Sequence, residues 1–229
     1  MDTARVSRPV PIALTALVAF FAALAALAVS NGSAHAHDTA THESHAATVT
    51  KKQAALQSGM RVLWEDHIVW TRLAIISLTT GSPDTEATVG RLLQNQADIG
   101  NAVKPFYGEA AGNKLTAELR NHILIAADLI AAAQAGDAAK LAEEQARWQR
   151  NADDIAGVLA SVNPRFWKLA VLKKEMQTHL TLTTNEAVAR LQADWDADVA
   201  AYDQIHEHIL HMSDYLAAGL IKQFPKRFK

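Results

Sequence analysis

Three stretches of the chain carry the same polar residues at matching intervals on otherwise apolar ground. The first runs His67, Arg91, Asn95, Asp98; the second His122, Arg147, Asn151, Asp154; the third His179, Gln204, His208, His211. The step from the leading histidine to the next member is 24, 25 and 25 residues, and each trailing trio then follows an i, i+4, i+7 spacing. That spacing places a trio on one face of a helix. An apolar residue follows each leading histidine (Ile68, Ile123, Leu180), and a small or hydroxyl residue stands at +4 (Thr71, Ala126, Thr183). A proline with a nearby phenylalanine closes each unit: Pro105 with Phe106, Pro164 with Phe166, Pro225 with Phe228.

Two chemistries suit this pattern. If His67, His122 and His179 converge inside a bundle, three imidazoles make a site for copper, zinc or nickel, completed by Asn, Asp or water. His208 and His211 stand at i, i+3, a spacing that lets both point at one ion. The other chemistry is purely structural. Neutral histidines hydrogen-bonded to Asn95, Asn151, Asp98 and Asp154 would form a polar layer that specifies helix pairing. On that view buried Arg91 and Arg147 pair with carboxylates.

A second group of histidines lies near the start. Arg5 and Arg8 precede an uncharged apolar run, Ile12 to Val29, and Ala34-His35-Ala36 follows as a small-x-small cleavage site. This is the pattern of an export signal over residues 1–36. Uncleaved, the run would be an N-terminal anchor at the short end of what spans a bilayer. Cleavage after Ala36 leaves His37 as the first residue, and its amine and imidazole can chelate Cu(II), helped by His42 or His45. Cleavage after Ala34 leaves His35-Ala36-His37, whose third-position histidine suits square-planar Cu(II) or Ni(II). The expected location is periplasmic or secreted, with no membrane attachment once the signal is removed.

The elements that must position these groups are helices. Residues 37–50 are polar, rich in His and Thr, and without apolar periodicity, so they read as a flexible lead-in. From 51 to 229 Ala and Leu abound and breakers recur at intervals. Six helical segments are expected, near 51–79, 84–103, 109–135, 138–161, 165–192 and 196–223. Met60, Leu63, His67, Thr71, Ala74 and Leu78 form one stripe. Leu115, Leu119, His122, Ala126 and Leu129 form a second, and Leu172, Met176, His179, Thr183 and Ala187 a third. Short loops favour antiparallel neighbours. The expected fold is all-α: an up-and-down bundle of five to six helices built from repeated hairpins, without a sheet. The turn at Asp194, Asp196 and Asp198 lacks a strong breaker, so the last two segments could be one bent helix.

Composition removes other functions. The net charge is −2, which gives no basic footprint for nucleic acid. There is no cysteine, so thiolate metal sites, iron–sulfur clusters, covalent haem and Cys nucleophiles are excluded. No Glu-x-x-His pair of the di-iron type occurs, no His-Glu-x-x-His, no phosphate loop and no nucleophile elbow. The Asp194–Asp198 run lacks the glycine and glutamate of a Ca²⁺ loop. A haem held by His and one of Met60, Met176 or Met212 remains compatible, though Met on a helix stripe usually fills core. General-base catalysis by His67, His122 or His179 finds no accompanying nucleophile, so the balance is against an enzyme.

The stretches LWEDHIVWTRLAIISL, RLLQNQADIGNAVKPFYGEAAGNKLT and AAYDQIHEHILHMSDYLAAGLIKQF resemble a group of bacterial helical-bundle proteins of unestablished role, over Leu63 to Phe224. The resemblance implies an all-helical domain; the His-rich lead-in is no part of it. The leading expectation is therefore an exported bundle that binds a metal ion, copper foremost, in storage, sensing or resistance. The alternative is a structural or interaction module with a buried polar layer and no metal.

Overall fold

A computed structural model describes residues 49–229. The expected export signal over residues 1–36 and the histidines at 37, 42 and 45 lie outside the described residues. Within them the chain forms five α-helices and a terminal 3-10 turn: α1 (Lys51–Thr80), α2 (Thr85–Ala135), α3 (Ala138–Val162), α4 (Leu169–Leu191), α5 (Trp195–Gln223) and Pro225–Phe228. No strand occurs among the described residues, and no helix there is long and apolar enough to cross a membrane.

Local sequence explains where the helices start and stop. Thr50 caps α1 reciprocally with Gln53: each side chain takes the other's backbone N–H. Gly81 ends α1 and Gly136 ends α2, both in the left-handed region. Asp137 and Asp194 cap α3 and α5 by accepting from Lys140 N and Ala197 N. The Asp-rich turn therefore does separate two helices, with Ala193 at φ 58° completing the break. The helix expected from residue 165 begins only at Leu169. Ahead of it, the Phe166 and Trp167 amides bond back to the Asn163 carbonyl, holding 164–168 in turns.

The second and third expected segments are the two helical arms of α2, on either side of a reversal at Gly108. Gly108 has φ 83° and ψ 169°, non-helical values inside α2. The arm before it, 85–107, lies against the arm after it, 109–135. Arg120 donates to Leu93 O at 3.1 Å, and a Cβ on Gly100 would sit 2.7 Å from Gly112 O. Pro105 is tolerated close to this reversal, and its carbonyl accepts from Arg227. Counting both arms of α2, six helical rods pack as three hairpins. α5 closes the ring against α1 through Arg61–Asp214 and through a shared ion cluster. In that cluster Arg72 reaches Glu186 at 2.8 Å and Asp198 at 3.0 Å, and Arg190 reaches Asp198 at 2.9 Å.

One continuous apolar core runs through the bundle. It takes Ile68 from α1, Leu119 from α2, Ile155 from α3, Leu172 from α4 and Ile209 from α5. Met60, Met176 and Met212 belong to it as filler. One end is sealed by aromatic rings: Phe106 lies 5.4 Å from Phe224 and 6.0 Å from Phe228, and Tyr107 lies 5.5 Å from Trp167. Two of the three Pro/Phe units thus meet at that end. Thr50 Oγ1 donates to Phe228 O at 2.6 Å, tying the start of α1 to the chain end.

Candidate functional site: a buried row of imidazoles

The three leading histidines converge. His67 (α1), His122 (second arm of α2) and His179 (α4) are each 2–4% exposed. His179 is central, its ring 5.8 Å from both His67 and His122. His208 of α5 extends the row, stacked 6.2 Å from His179. Trp148 stacks on His122 at 5.1 Å, and Trp64 meets His67 edge-on at 5.8 Å. Trp70, the other tryptophan near His67 in sequence, lies instead beneath the Arg91 guanidinium.

The neighbouring rod of each hairpin holds the backbone just ahead of its histidine. Asn95 Nδ2 donates to Leu63 O at 3.0 Å, Asn151 Nδ2 to Glu118 O at 3.1 Å, and His208 Nε2 to Glu175 O at 3.1 Å. In each case the acceptor is the carbonyl four residues before the leading histidine. Thr71 and Thr183 each return their hydroxyl to the carbonyl of the histidine one turn earlier. His208 therefore takes in the third hairpin the position that an asparagine takes in the first two.

These bonds determine tautomers. Asn151 Nδ2 has two acceptors, Glu118 O and Glu118 Oε2. Its Oδ1 must then be the atom 2.9 Å from His122 Nδ1, so His122 carries its proton on Nδ1 and a lone pair on Nε2. That Nε2 is buried and no group among the described residues pairs with it, and the same is true of His179 Nδ1. His67 differs: its Nδ1 faces the Gln96 amide nitrogen at 3.1 Å and accepts from it. The indole N–H groups of Trp64 and Trp148 are likewise without a protein partner. Buried polar atoms are normally satisfied, so this layer is a polar network that the fold does not complete from within.

Burial holds the imidazoles neutral. It drives His67 down to about 3, with His122 adding to the effect, and His122 down to about 4. It drives His179 well below the usual histidine value, reinforced by His122, His67 and His208. His208 is also lowered by burial, against the pull of Glu175. Neutral imidazole is the ligand form.

Several expected participants are elsewhere. Asp98 is half-buried and accepts from Gln94, and Asp154 and Gln204 are exposed; one further helical turn carries i+7 past the layer. Arg91 and Arg147 are half-exposed rather than buried. They pair as anticipated with carboxylates, Arg91 with Asp66 and Arg147 with Glu144. His211 is 71% exposed and outside the layer, but it shares the Glu175 carboxylate with His208. Gln96 was invisible to the repeat because it appears in one hairpin only, whereas Glu175 recurs as Glu118, four residues before His122. Glu175 at His179−4 was the available signal, since i, i+4 residues are neighbours on a helix.

As they stand, no group of three or more His, Asp or Glu side chains among the described residues is set to hold a metal ion. Beside the layer lies an apolar pocket of ≈ 550 Å³, counted to its open mouth. Thr71, Ala126 and Thr183, the residues one turn beyond the three histidines, line it together with Trp148 and Ile123. Compared with known proteins, the chain matches no family model, no curated protein and no solved structure. The fold and this site define it as an all-α bundle with a buried row of imidazoles.

Proposed function

We propose that this is an exported helical-bundle protein that binds a transition-metal ion, copper foremost with zinc or nickel as alternatives, in storage, sensing or resistance. One observation carries the reading. His122 Nε2 and His179 Nδ1 are buried nitrogens on adjacent rings with no partner among the described residues. His122 is oriented through its other nitrogen by Asn151. Metal-binding histidines are commonly held in this way, one nitrogen tied to an oxygen acceptor and the other turned to the ion. Depressed pKa values keep the lone pairs available at neutral pH. Imidazole nitrogen suits copper, zinc and nickel and does not suit Mg²⁺ or Ca²⁺. Small rotations of the rings would have to bring the donors onto one ion.

A second reading has its own support. The three hydrogen bonds from Asn95, Asn151 and His208 staple each hairpin, which is what a purely structural polar layer would do. His122→Ala separates the two. If the layer binds metal, added Cu(II) or Zn(II) raises the melting temperature of the wild type and the substitution cancels that rise. If the layer is structural, the substitution costs about 1–3 kcal/mol by stranding Asn151, equally with chelator and with metal. Equal penalties in both conditions would overturn the metal reading. Protein lacking residues up to Ala47 should be used, so that the His-rich segment does not contribute.

That segment is expected to act independently. Deleting residues up to Ala47 should remove a tight Cu(II) signal in titration while helicity and melting temperature stay nearly unchanged. Unaltered copper affinity after the deletion would mean that His37, His42 and His45 take no part.

A further inference from the structure

The row of imidazoles does not end inside the protein. His208 is 9% exposed at its side chain, Glu175 17% and His211 71%. His208 donates through Nε2 to Glu175 O, so its Nδ1 carries a lone pair. That lone pair lies 3.7 Å from Glu175 Oε2, and His211 Nδ1 lies 3.8 Å from the same oxygen. Two imidazole nitrogens therefore flank one carboxylate oxygen, and one of them presents electron density to it. A cation accepted among the three groups, whether a proton on an imidazole or a metal ion, makes the arrangement favourable.

We propose that Glu175, His208 and His211 form an outer capture site for a transition-metal dication, from which the ion passes by way of His208 and His179 to the buried layer. This rests on the metal reading of that layer. The donor set, two imidazoles and one carboxylate, is a borderline set that favours Cu(II) or Zn(II) over Mg²⁺ or Ca²⁺. The donors stand slightly wide of one ion as folded, and His211, with its side chain largely in solvent, closes the site by rotating. The apolar pocket also opens near the layer, but among the described residues it offers a metal dication no imidazole or carboxylate. Its walls are mostly aliphatic with Trp148, and the Thr71 and Thr183 hydroxyls are spent on backbone carbonyls. The route through His208 passes from one imidazole to the next, with ring spacings of 6.2 Å and then 5.8 Å.

Trp148, stacked on His122, reports arrival of the ion. The experiment mixes Cu(II) in stopped flow with purified protein in which His37, His42 and His45 are replaced by Ala, and follows quenching of tryptophan fluorescence. Trp148→Phe should remove most of the amplitude. His211→Ala, at a solvent-facing position, and Glu175→Gln should each slow quenching by about tenfold, the scale of losses seen when groups supporting a metal site are removed. The final extent of quenching should stay the same. Unchanged rates in both variants, with normal amplitude, would overturn the capture site and leave the buried layer standing. An absence of quenching in the folded parent protein would instead overturn the buried-layer reading.

Discussion

Acidification from pH 7 to about 4 is expected to destabilise the bundle by on the order of 5 kcal/mol, a large part of what a domain of this size has to lose. The driving groups are His67, His122 and His179. Their folded-state pKa values are depressed, to about 3 and about 4 for the first two and well below normal for the third. Below pH 6.5 the unfolded chain takes up protons that the folded chain refuses. The stability the neutral imidazoles contribute is complete above pH 6.5 and is lost as pH falls toward their folded values. Glu186 works in the opposite sense. Burial raises it to about 7 despite Arg72, and its Oε2 has no partner among the described residues. The folded state thus holds a proton there that the unfolded state releases above about 4.5, so Glu186 adds stability as pH falls from 7 to 4.5. Three histidines outweigh one carboxyl, and the net slope is a loss. Urea unfolding at half-unit pH steps checks this, and stability that is flat between pH 7 and 5 would refute it. His179→Leu should flatten the curve, since it removes the central titrating ring.

Gly219→Ala is expected to cost about 1–3 kcal/mol or more, although alanine is the better helix former. A Cβ at Gly219 would overlap the indole of Trp167. That ring is 1% exposed and pinned by its N–H to Leu216 O at 3.2 Å, so it has nowhere to go. Gly100→Ala should behave similarly, because its Cβ would meet Gly112 O and Thr116 where the arms of α2 touch. Gly59, Gly90 and Gly157 have open space around the same position. Alanine there should stabilise by about 0.4–1 kcal/mol. Thermal melts of the five single variants decide the matter. A stabilised Gly219→Ala would mean that the contact between α5 and the turn at Trp167 is looser than described.

Helix content, helix ends and the inward faces were legible in the chain because they depend on neighbours one to four residues apart. Gly81, Gly136 and Asp137 mark ends through local backbone geometry and short side-chain caps. The stripes through His67, His122 and His179 follow from the 3.6-residue period alone. Convergence of the three histidines was inferred from matched spacing, and the fold places them together as that inference required. The Asp98 and Asp154 assignments failed for a physical reason. Spacing i+7 returns to the same face but one turn further along the axis, and hydrogen bonds do not span that distance.

What only the tertiary structure decided is which groups face each other across helices. The sequence by itself determined an all-α chain without cysteine and with three histidines on inward stripes. The break near Pro105 and Gly108 was legible too, but the sequence did not show that the two arms of α2 touch at Gly100 and Gly112. Nor did it distinguish the tautomers of His67 and His122, which depend on Gln96 and Asn151 arriving from another rod, 29 residues away in both cases. The repeat already put His208 in the slot of Asn95 and Asn151, but only packing places its Nε2 on Glu175 O. Local periodicity reports which face is inward. The relative rotation and height of packed helices are set by side chains distant in sequence, and the chemistry of the imidazole row lives in that register.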